Sequence, residues 1–189
     1  FSYSISGNVG FVQNEVLKFQ GENAAYGNQN ILIEGHSIWT YYVREVDRMV
    51  RTQEDLDWVE SELAAGNSFF PRTPELGDLV YKDTNGDGIY GNDDDRVITD
   101  KSNNPTITFG LSANFNWKNI DLSMLWQGAG NVYAYYFDNS HRTNVRNGYL
   151  FNADITDNRW TPDNPEATYP RLLFQNDNQN SVTSDFWLR

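Results

Sequence analysis

Five aspartates crowd into residues 83–95: Asp83, Asp87, Asp93, Asp94 and Asp95. The run Asp83-Thr84-Asn85-Gly86-Asp87-Gly88-Ile89-Tyr90 fits the first half of a calcium loop, D-x-N-x-D-G. Oxygens at positions 1, 3 and 5 converge when a glycine at position 6, here Gly88, permits a sharp turn. The Ile89 carbonyl would be the position-7 ligand, and Asp94 stands at position 12, with Asp93 and Asp95 as competitors. All these ligands are oxygens and no His or Cys lies nearby, which points to Ca²⁺ rather than zinc. The expected site is therefore Asp83, Asn85, Asp87, Ile89 and Asp94, in a structural role. The competing reading is an acidic Asx-turn without metal. An ordinary EF-hand would need a helix on each side, but Leu79-Val80-Tyr81 reads as extended. No other chemistry is suggested. His36 and His141 stand far apart without a nucleophile in a recognisable context, and read as surface or packing residues. Trp39, Tyr41 and Tyr42, with Tyr133, Tyr135 and Tyr136, could stack on sugars, although packing within loops is the simpler use. The chain does not read as an enzyme.

The elements that must carry this loop are strands. Phe1, Tyr3, Ile5, Val9 and Phe11, with Gly7, alternate with Ser2, Ser4, Ser6, Asn8 and Gly10. Ile107, Phe109, Leu111, Ala113, Phe115 and Trp117 alternate with Thr106, Thr108, Gly110, Ser112, Asn114 and Asn116. After Lys118-Asn119, Ile120, Leu122, Met124 and Trp126 share one face and Asp121, Ser123 and Gln127 the other, with Leu125 the exception. Period two means strand. Eleven residues rise about 36 Å and, tilted about 45°, span about 25 Å, the height of the lipid-facing band of a membrane barrel. Soluble strands more often run to about 5 or 6 residues. The second face of Ser, Thr, Asn and Gly suits a wet lumen, and Trp117 and Trp126 are placed near strand ends, where interfacial aromatics gather.

Between these strands the chain is loop-like. Thr52, with Asp55 three residues on, reads as the N-cap of a short helix over about residues 53–65, striped by Leu56, Val59 and Leu63 and stopped by Gly66. Residues 127–185 are rich in Asn and Asp and punctuated by Pro162, Pro165 and Pro170. Such long connections are unusual in one compact soluble domain and ordinary on the outer face of a membrane barrel, where periplasmic turns are short. The expected organisation is a barrel strand over 1–19, an extracellular loop over 20–105 carrying the helix and the calcium-like loop 83–95, a barrel hairpin over 106–127, an extracellular loop over 128–185 and the start of the next strand at 186–189.

Composition narrows the class. The formal net charge is -12 across 189 residues, which repels nucleic acid and anionic lipid surfaces. Cysteine is absent, which excludes disulfides and thiolate metal sites. Aromatics reach 15% while mean hydropathy is -0.66, a combination that suits a membrane barrel with polar loops, a carbohydrate-binding surface or a β-sandwich. No apolar run is long enough for a membrane helix and no signal peptide opens the chain, whose two ends look cut, as in a fragment of a longer polypeptide.

Several runs carry a family resemblance. Gly77-Asp78-Leu79-Val80-Tyr81-Lys82-Asp83-Thr84-Asn85-Gly86-Asp87-Gly88 followed by Asp94-Asp95-Arg96-Val97-Ile98, Asn104-Pro105 leading into Phe109-Gly110-Leu111, and Ile120-Asp121-Leu122-Ser123 ending at Trp126-Gln127-Gly128 resemble the C-terminal region of SusC/RagA-type TonB-dependent transporters. Arg159-Trp160-Thr161-Pro162-Asp163-Asn164-Pro165, Tyr169-Pro170-Arg171-Leu172 and Ser184-Asp185-Phe186-Trp187-Leu188-Arg189 continue it in order. The stretch between Gly88 and Arg96 is a residue longer than the common version, which leaves Asp94 and Asp95 both open as the closing ligand. The resemblance implies an all-β fold: a fragment of a transmembrane antiparallel β-barrel, about three spanning strands of a barrel with about 22 and a plugged lumen, with long extracellular loops. It implies the outer membrane of a Gram-negative bacterium, contact with its lipid, TonB-powered nutrient uptake of oligosaccharide or peptide at the cell surface, and a SusD-like surface lipoprotein as partner. TonB would act through the N-terminal plug region, absent from these residues. The runner-up is a secreted, calcium-stabilised carbohydrate-binding β-sandwich.

Overall fold

In chain order the strands are β1 (Ser2–Phe11), β2 (Ala24–Tyr26), β3 (Asn30–Leu32), β4 (Thr40–Arg44) and β5 (Val46–Met49), then helix α1 (Gln53–Ala64). β6 (Ser68–Phe69), β7 (Leu79–Tyr81), β8 (Ile89–Tyr90), β9 (Arg96–Ser102), β10 (Ile107–Trp117), β11 (Ile120–Gly130) and β12 (Asn144–Val145) follow, then helix α2 (Ala153–Asp157) and β13 (Leu173–Phe174). The structure, a computed structural model, describes the whole chain except residues 21–23, 27–28, 137–143, 146–151 and 175–177. His141 lies outside the described residues. The fold is all-β in character, and no described helix is long and apolar enough to cross a membrane.

The chain divides into two compact units, residues 1–41 with 100–134, and residues 42–99 with 135–189. The first is built on an antiparallel sheet ordered β1-β10-β11. Its register joins the alternating patterns: Tyr3 faces Phe115, Ile5 faces Ala113 and Val9 faces Phe109, while Phe115 faces Leu122 and Leu111 faces Trp126. Residues directly opposite share a face, so every large apolar side chain in these rows falls on one side of the sheet except Leu125, which faces Ser112. Lys118, at φ 55, makes the tight turn that lets Trp117 pair with Ile120. β11 runs to Gly130, beyond the expected end at 127, because Gln127 through Gly130 continue to pair with Gly110 through Ile107. Trp126 is thereby a mid-strand residue rather than one near an end. A second sheet, β2-β3-β4-β9, completes the ladders here, and the boundary between the units falls within β4 and β9.

The second unit has its own hydrophobic core. One cluster joins Met49, Leu79, Tyr81, Trp160, Ala167 and Val182; another joins Val50, Val59, Phe69 and Val80. β5 pairs with β7 and β6 with β8. α1 starts on a capping box: Thr52 Oγ1 accepts from the Asp55 N–H at 3.3 Å and Asp55 Oδ2 accepts from the Thr52 N–H at 3.0 Å. Its Val59 is fully buried. Of the residues from 186, expected to open a strand, only Leu188 bridges, antiparallel to Tyr135. Asp185–Trp187 form a 3-10 turn, Trp187 and Leu188 are buried, and the Leu188 N–H bonds the Asp185 carbonyl. Burying the indole, whose Nε1 donates to the Asn180 carbonyl at 3.1 Å, turns this segment into the core.

Candidate functional site

Two features stand out, the long three-stranded sheet and the acidic loop. The apolar face of the sheet is bare. Ile5 is 59% exposed, Leu122 51% and Ile120 62%, and Phe1, Tyr3, Val9, Phe11, Phe109, Leu111, Trp117 and Trp126 are exposed with them. Monomeric soluble domains rarely expose a contiguous apolar face of this kind. Aromatic rings gather at the turn end, where Phe1 lies within 6.1 Å of Tyr3 and 6.4 Å of Phe115 between ring centres. Lys118 Nζ there lies 5.0 Å from the Trp117 ring, an arrangement suited to a bilayer interface. At Gly128 the Phe109 ring lies across the backbone, so close that a Cβ would meet its Cζ at 2.3 Å.

The opposite face is small and polar. Ser6 and Ser112 share a hydrogen bond at 2.7 Å, Asn114 Nδ2 donates to Ser4 Oγ at 3.4 Å, and Asn116 Nδ2 donates to Asp121 Oδ1. β1 and β11 are the edges of the sheet in this chain, each with one ladder left open. The sheet thus has the parity and amphipathicity of a barrel wall, and it does not close on itself.

In the acidic loop, Asp83, Asn85 and Asp87 fall in one turn. Asp83 Oδ1 accepts from the N–H of Gly86 at 2.6 Å and of Asp87 at 3.2 Å, and its Oδ2 from that of Gly88 at 2.9 Å. Asn85 Oδ1 accepts from the Asp87 N–H at 2.8 Å, and Asp87 Oδ1 from the Ile89 N–H at 2.7 Å. That bond from Ile89, foremost, holds the Asp87 carboxyl below the usual carboxylate range. Gly86 and Gly88 take the left-handed φ of 77° and 82° that the turn requires. Asp94 is not brought to this group: it is exposed, and its N–H donates to Asn92 Oδ1 at 2.8 Å. The fully buried carboxylate is Asp95, which takes the N–H groups of Thr84 and Asn85 on Oδ1 and of Gly91 and Asn92 on Oδ2. Asp93 pairs with Arg44 at 2.7 Å and Arg96 at 3.1 Å. Among the described residues no three His, Cys, Asp or Glu side chains group as a metal cage. His36 lies 3.6 Å from Asp100.

Comparison with known proteins starts from this geometry. No family model matches the chain. A TonB-dependent receptor of Formosa agariphila is 35% identical over 101 residues, which are 53% of this chain and 10% of that receptor. The structure of the RagAB peptide transporter matches 98% of this chain and 19% of its own, with a TM-score of 0.65 at 18% identity. The RagAB peptide importer in its open-open state matches 99% of this chain and 18% of its own, with a TM-score of 0.57 at 19% identity. The sequence match and the two fold matches agree. Over about half its length the chain is similar in sequence to a TonB-dependent receptor, and its fold is similar to that of the RagAB transporter. It spans about a tenth of the curated relative it matches, and the structural matches establish the fold.

The motif runs at 77–88, 159–165 and 169–172 meet in the second unit, in a network that no local pattern announced. Asp78 is fully buried and accepts from Arg171 Nε at 2.7 Å and Nη2 at 3.0 Å. Arg72 Nη2 lies 2.8 Å from its Oδ2, and Asn180 Nδ2 donates to its Oδ1 at 3.1 Å. Burial alone would lower the Arg171 pKa; its bonds to Asp78 and Glu75 raise it above the ordinary value. Gly77 sits at φ 84 with Trp160 so near that a Cβ would meet the indole at 2.5 Å. Arg44, also buried, bonds the carbonyls of Gly91 at 2.6 Å and Asn92 at 3.0 Å, anchoring the end of the acidic loop. Burial, then the charge of Arg96, lowers the Arg44 pKa, with Asp93 opposing them.

Proposed function

We propose that this chain supplies lipid-facing wall and surface loops to a TonB-dependent importer in the outer membrane of a Gram-negative bacterium. Its cargo is glycan fragments or peptides, and its surface partner is a SusD-like lipoprotein. The observation that carries this reading is the bare apolar face of β1, β10 and β11 opposite a face of Ser, Thr, Asn and Gly. A soluble sandwich would cover that face with a second sheet, and none of the relatives supports that alternative. The RagAB structures, named for a peptide transporter and importer, support the peptide class of cargo.

Orientation follows from loop length. The two-residue turn at Lys118-Asn119 belongs to the periplasmic side and the long connections to the outside. Cysteine introduced at Asn178, which is exposed, is expected to react with an impermeant maleimide on whole cells, and cysteine at Asn119 is not. The reverse labelling would reject this orientation.

We also propose that the loop binds one structural Ca²⁺ through Asp83, Asn85 and Asp87 side-chain oxygens and the Ile89 carbonyl. Asp83 and Asp87 have no cationic partner among the described residues, and Asp83 Oδ2 accepts only one N–H. Asp95 does not suit the shell, because it is fully buried and each of its oxygens already serves two backbone amides, whereas Asp83 Oδ2 serves one. Asp94 would have to turn inward from its exposed position. Calcium titration of the parent protein should slow proteolysis within residues 83–95 and leave Asp83→Ala with Asp87→Ala unprotected. Equal protection of both proteins, or no response of the parent to chelator, would favour the metal-free acidic turn.

A further inference from the structure

We propose that Asn85 is a site of self-modification: the Gly86 nitrogen attacks the Asn85 side chain, ammonia leaves, and the amide becomes an acid. Neither the importer reading nor a bound metal enters this inference. Asparagine is among the chemically labile residues. It loses ammonia most readily where the next residue is a glycine, which has no side chain to crowd the attack. Asn85-Gly86 is such a pair. Both residues are exposed, and a Cβ on Gly86 would meet nothing within 4 Å. A second such pair, Asn147-Gly148, lies outside the described residues.

The folded loop sets a group at each point where this reaction needs one. The Gly86 nitrogen must give up its proton to attack, and Asp83 Oδ1 accepts that N–H at 2.6 Å. Negative charge develops on Asn85 Oδ1 as the ring closes, and the Asp87 N–H donates to that oxygen at 2.8 Å. The chain before the reacting pair is pinned by buried Asp95, whose Oδ1 accepts the N–H of Thr84 at 2.6 Å and of Asn85 at 3.3 Å. Such positioning removes part of the entropic barrier. In balance, a bond forms from the Gly86 nitrogen to Asn85 Cγ, the Cγ–Nδ2 bond breaks, and the Gly86 proton departs with the amide group as ammonia. Water then opens the cyclic imide at either carbonyl and leaves an aspartyl or an isoaspartyl residue at position 85. Both products add negative charge beside Asp83 and Asp87, and the isoaspartyl form also lengthens the backbone of the turn. Asn92 is the contrast within the same loop. Its Oδ1 also accepts backbone amides, from Asp94 at 2.8 Å and Asp95 at 3.1 Å, but the residue after it is Asp93, whose side chain crowds the attack.

The test incubates the full-length parent protein, warm, in detergent with chelator, and follows each asparagine of the loop by mass spectrometry of its peptides. Enzymatic methylation identifies the isoaspartyl form. Asn85 is expected to convert and Asn92 to stay intact. Asp83→Ala, which removes the base, and Gly86→Ala, which crowds the nucleophile, should each slow conversion by about tenfold or more. In urea the parent and Asp83→Ala should convert at the same rate, which assigns the difference to the folded loop. No conversion at Asn85 in the folded parent, or conversion equally fast in folded Asp83→Ala, would overturn the proposal. A difference between parent and Asp83→Ala that persists in urea would overturn the part given to the folded loop.

Discussion

Leu111→Arg is expected to destabilise the intact barrel by about 2 to 4 kcal/mol if residue 111 lies near the bilayer midplane, and Ser112→Arg by much less. The two positions are neighbours in sequence and opposites in environment. Leu111 stands between Gly7 and Trp126 on the bare apolar face. Ser112 stands between Ser6 and Leu125 on the other side, with its hydroxyl 2.7 Å from that of Ser6. An arginine on the lipid face must carry its charge into hydrocarbon or draw water after it, whereas one on the lumen face stays wet. Denaturant unfolding of the parent protein in bilayers measures both variants. Equal losses at the two positions would contradict the assigned parity.

That parity was legible in the sequence because a strand repeats every two residues, so that eleven residues of β10 state their two faces without any partner in view. The cap at Thr52 was legible for a similar reason: Thr52 and Asp55 interact within one turn. What could not be read is what depends on distant partners. Asp78 finds Arg171 and Asn180, 93 and 102 residues along the chain, and neither end of that separation bears a periodic signature. The same holds for Arg44, which reaches the carbonyls of Gly91 and Asn92. The closing ligand of the acidic loop was open between Asp94 and Asp95 in the sequence, and local hydrogen bonding distinguishes them. Asn92 caps the turn Asp93–Asp95, leaving Asp94 outward and folding Asp95 inward. Trp126 was placed near a strand end because the alternation was followed only to Gln127, yet Gly128 to Gly130 go on pairing with β10. The turn at 185–187 was misread because an aromatic run looks the same whether it enters a sheet or a core.

Asp78→Ala is expected to loosen the second unit by about 3 to 5 kcal/mol, the usual consequence of removing one partner from a buried charge pair. Two arginines and an asparagine would lose their shared acceptor, and the Glu75 N–H, 3.0 Å from Asp78 Oδ2, would lose its own. Asp47→Ala, which removes a partly exposed partner of Arg48 at 2.7 Å, should cost less than about 1 kcal/mol. Hydrogen exchange across β5 and β7 in the parent protein reads both. Asp78→Ala should speed exchange there by two to three orders of magnitude or more, at about 1.4 kcal/mol for each factor of ten where opening is at equilibrium. Unchanged protection in Asp78→Ala would show that burial of Leu79 and Tyr81, and not the charge network, holds this unit.

The central claim is that β1, β10 and β11 are wall strands with one face in lipid. Its most direct test is a nitroxide scan of residues 107–117 in the parent protein reconstituted in bilayers, measuring collision with oxygen and with a water-soluble nickel chelate at each position. The account predicts a period of two, with oxygen access highest at Phe109, Leu111, Ala113 and Phe115, and nickel access highest at Thr108, Gly110, Ser112 and Asn114. Opposite phase, or oxygen and nickel access that rise and fall together, would contradict it.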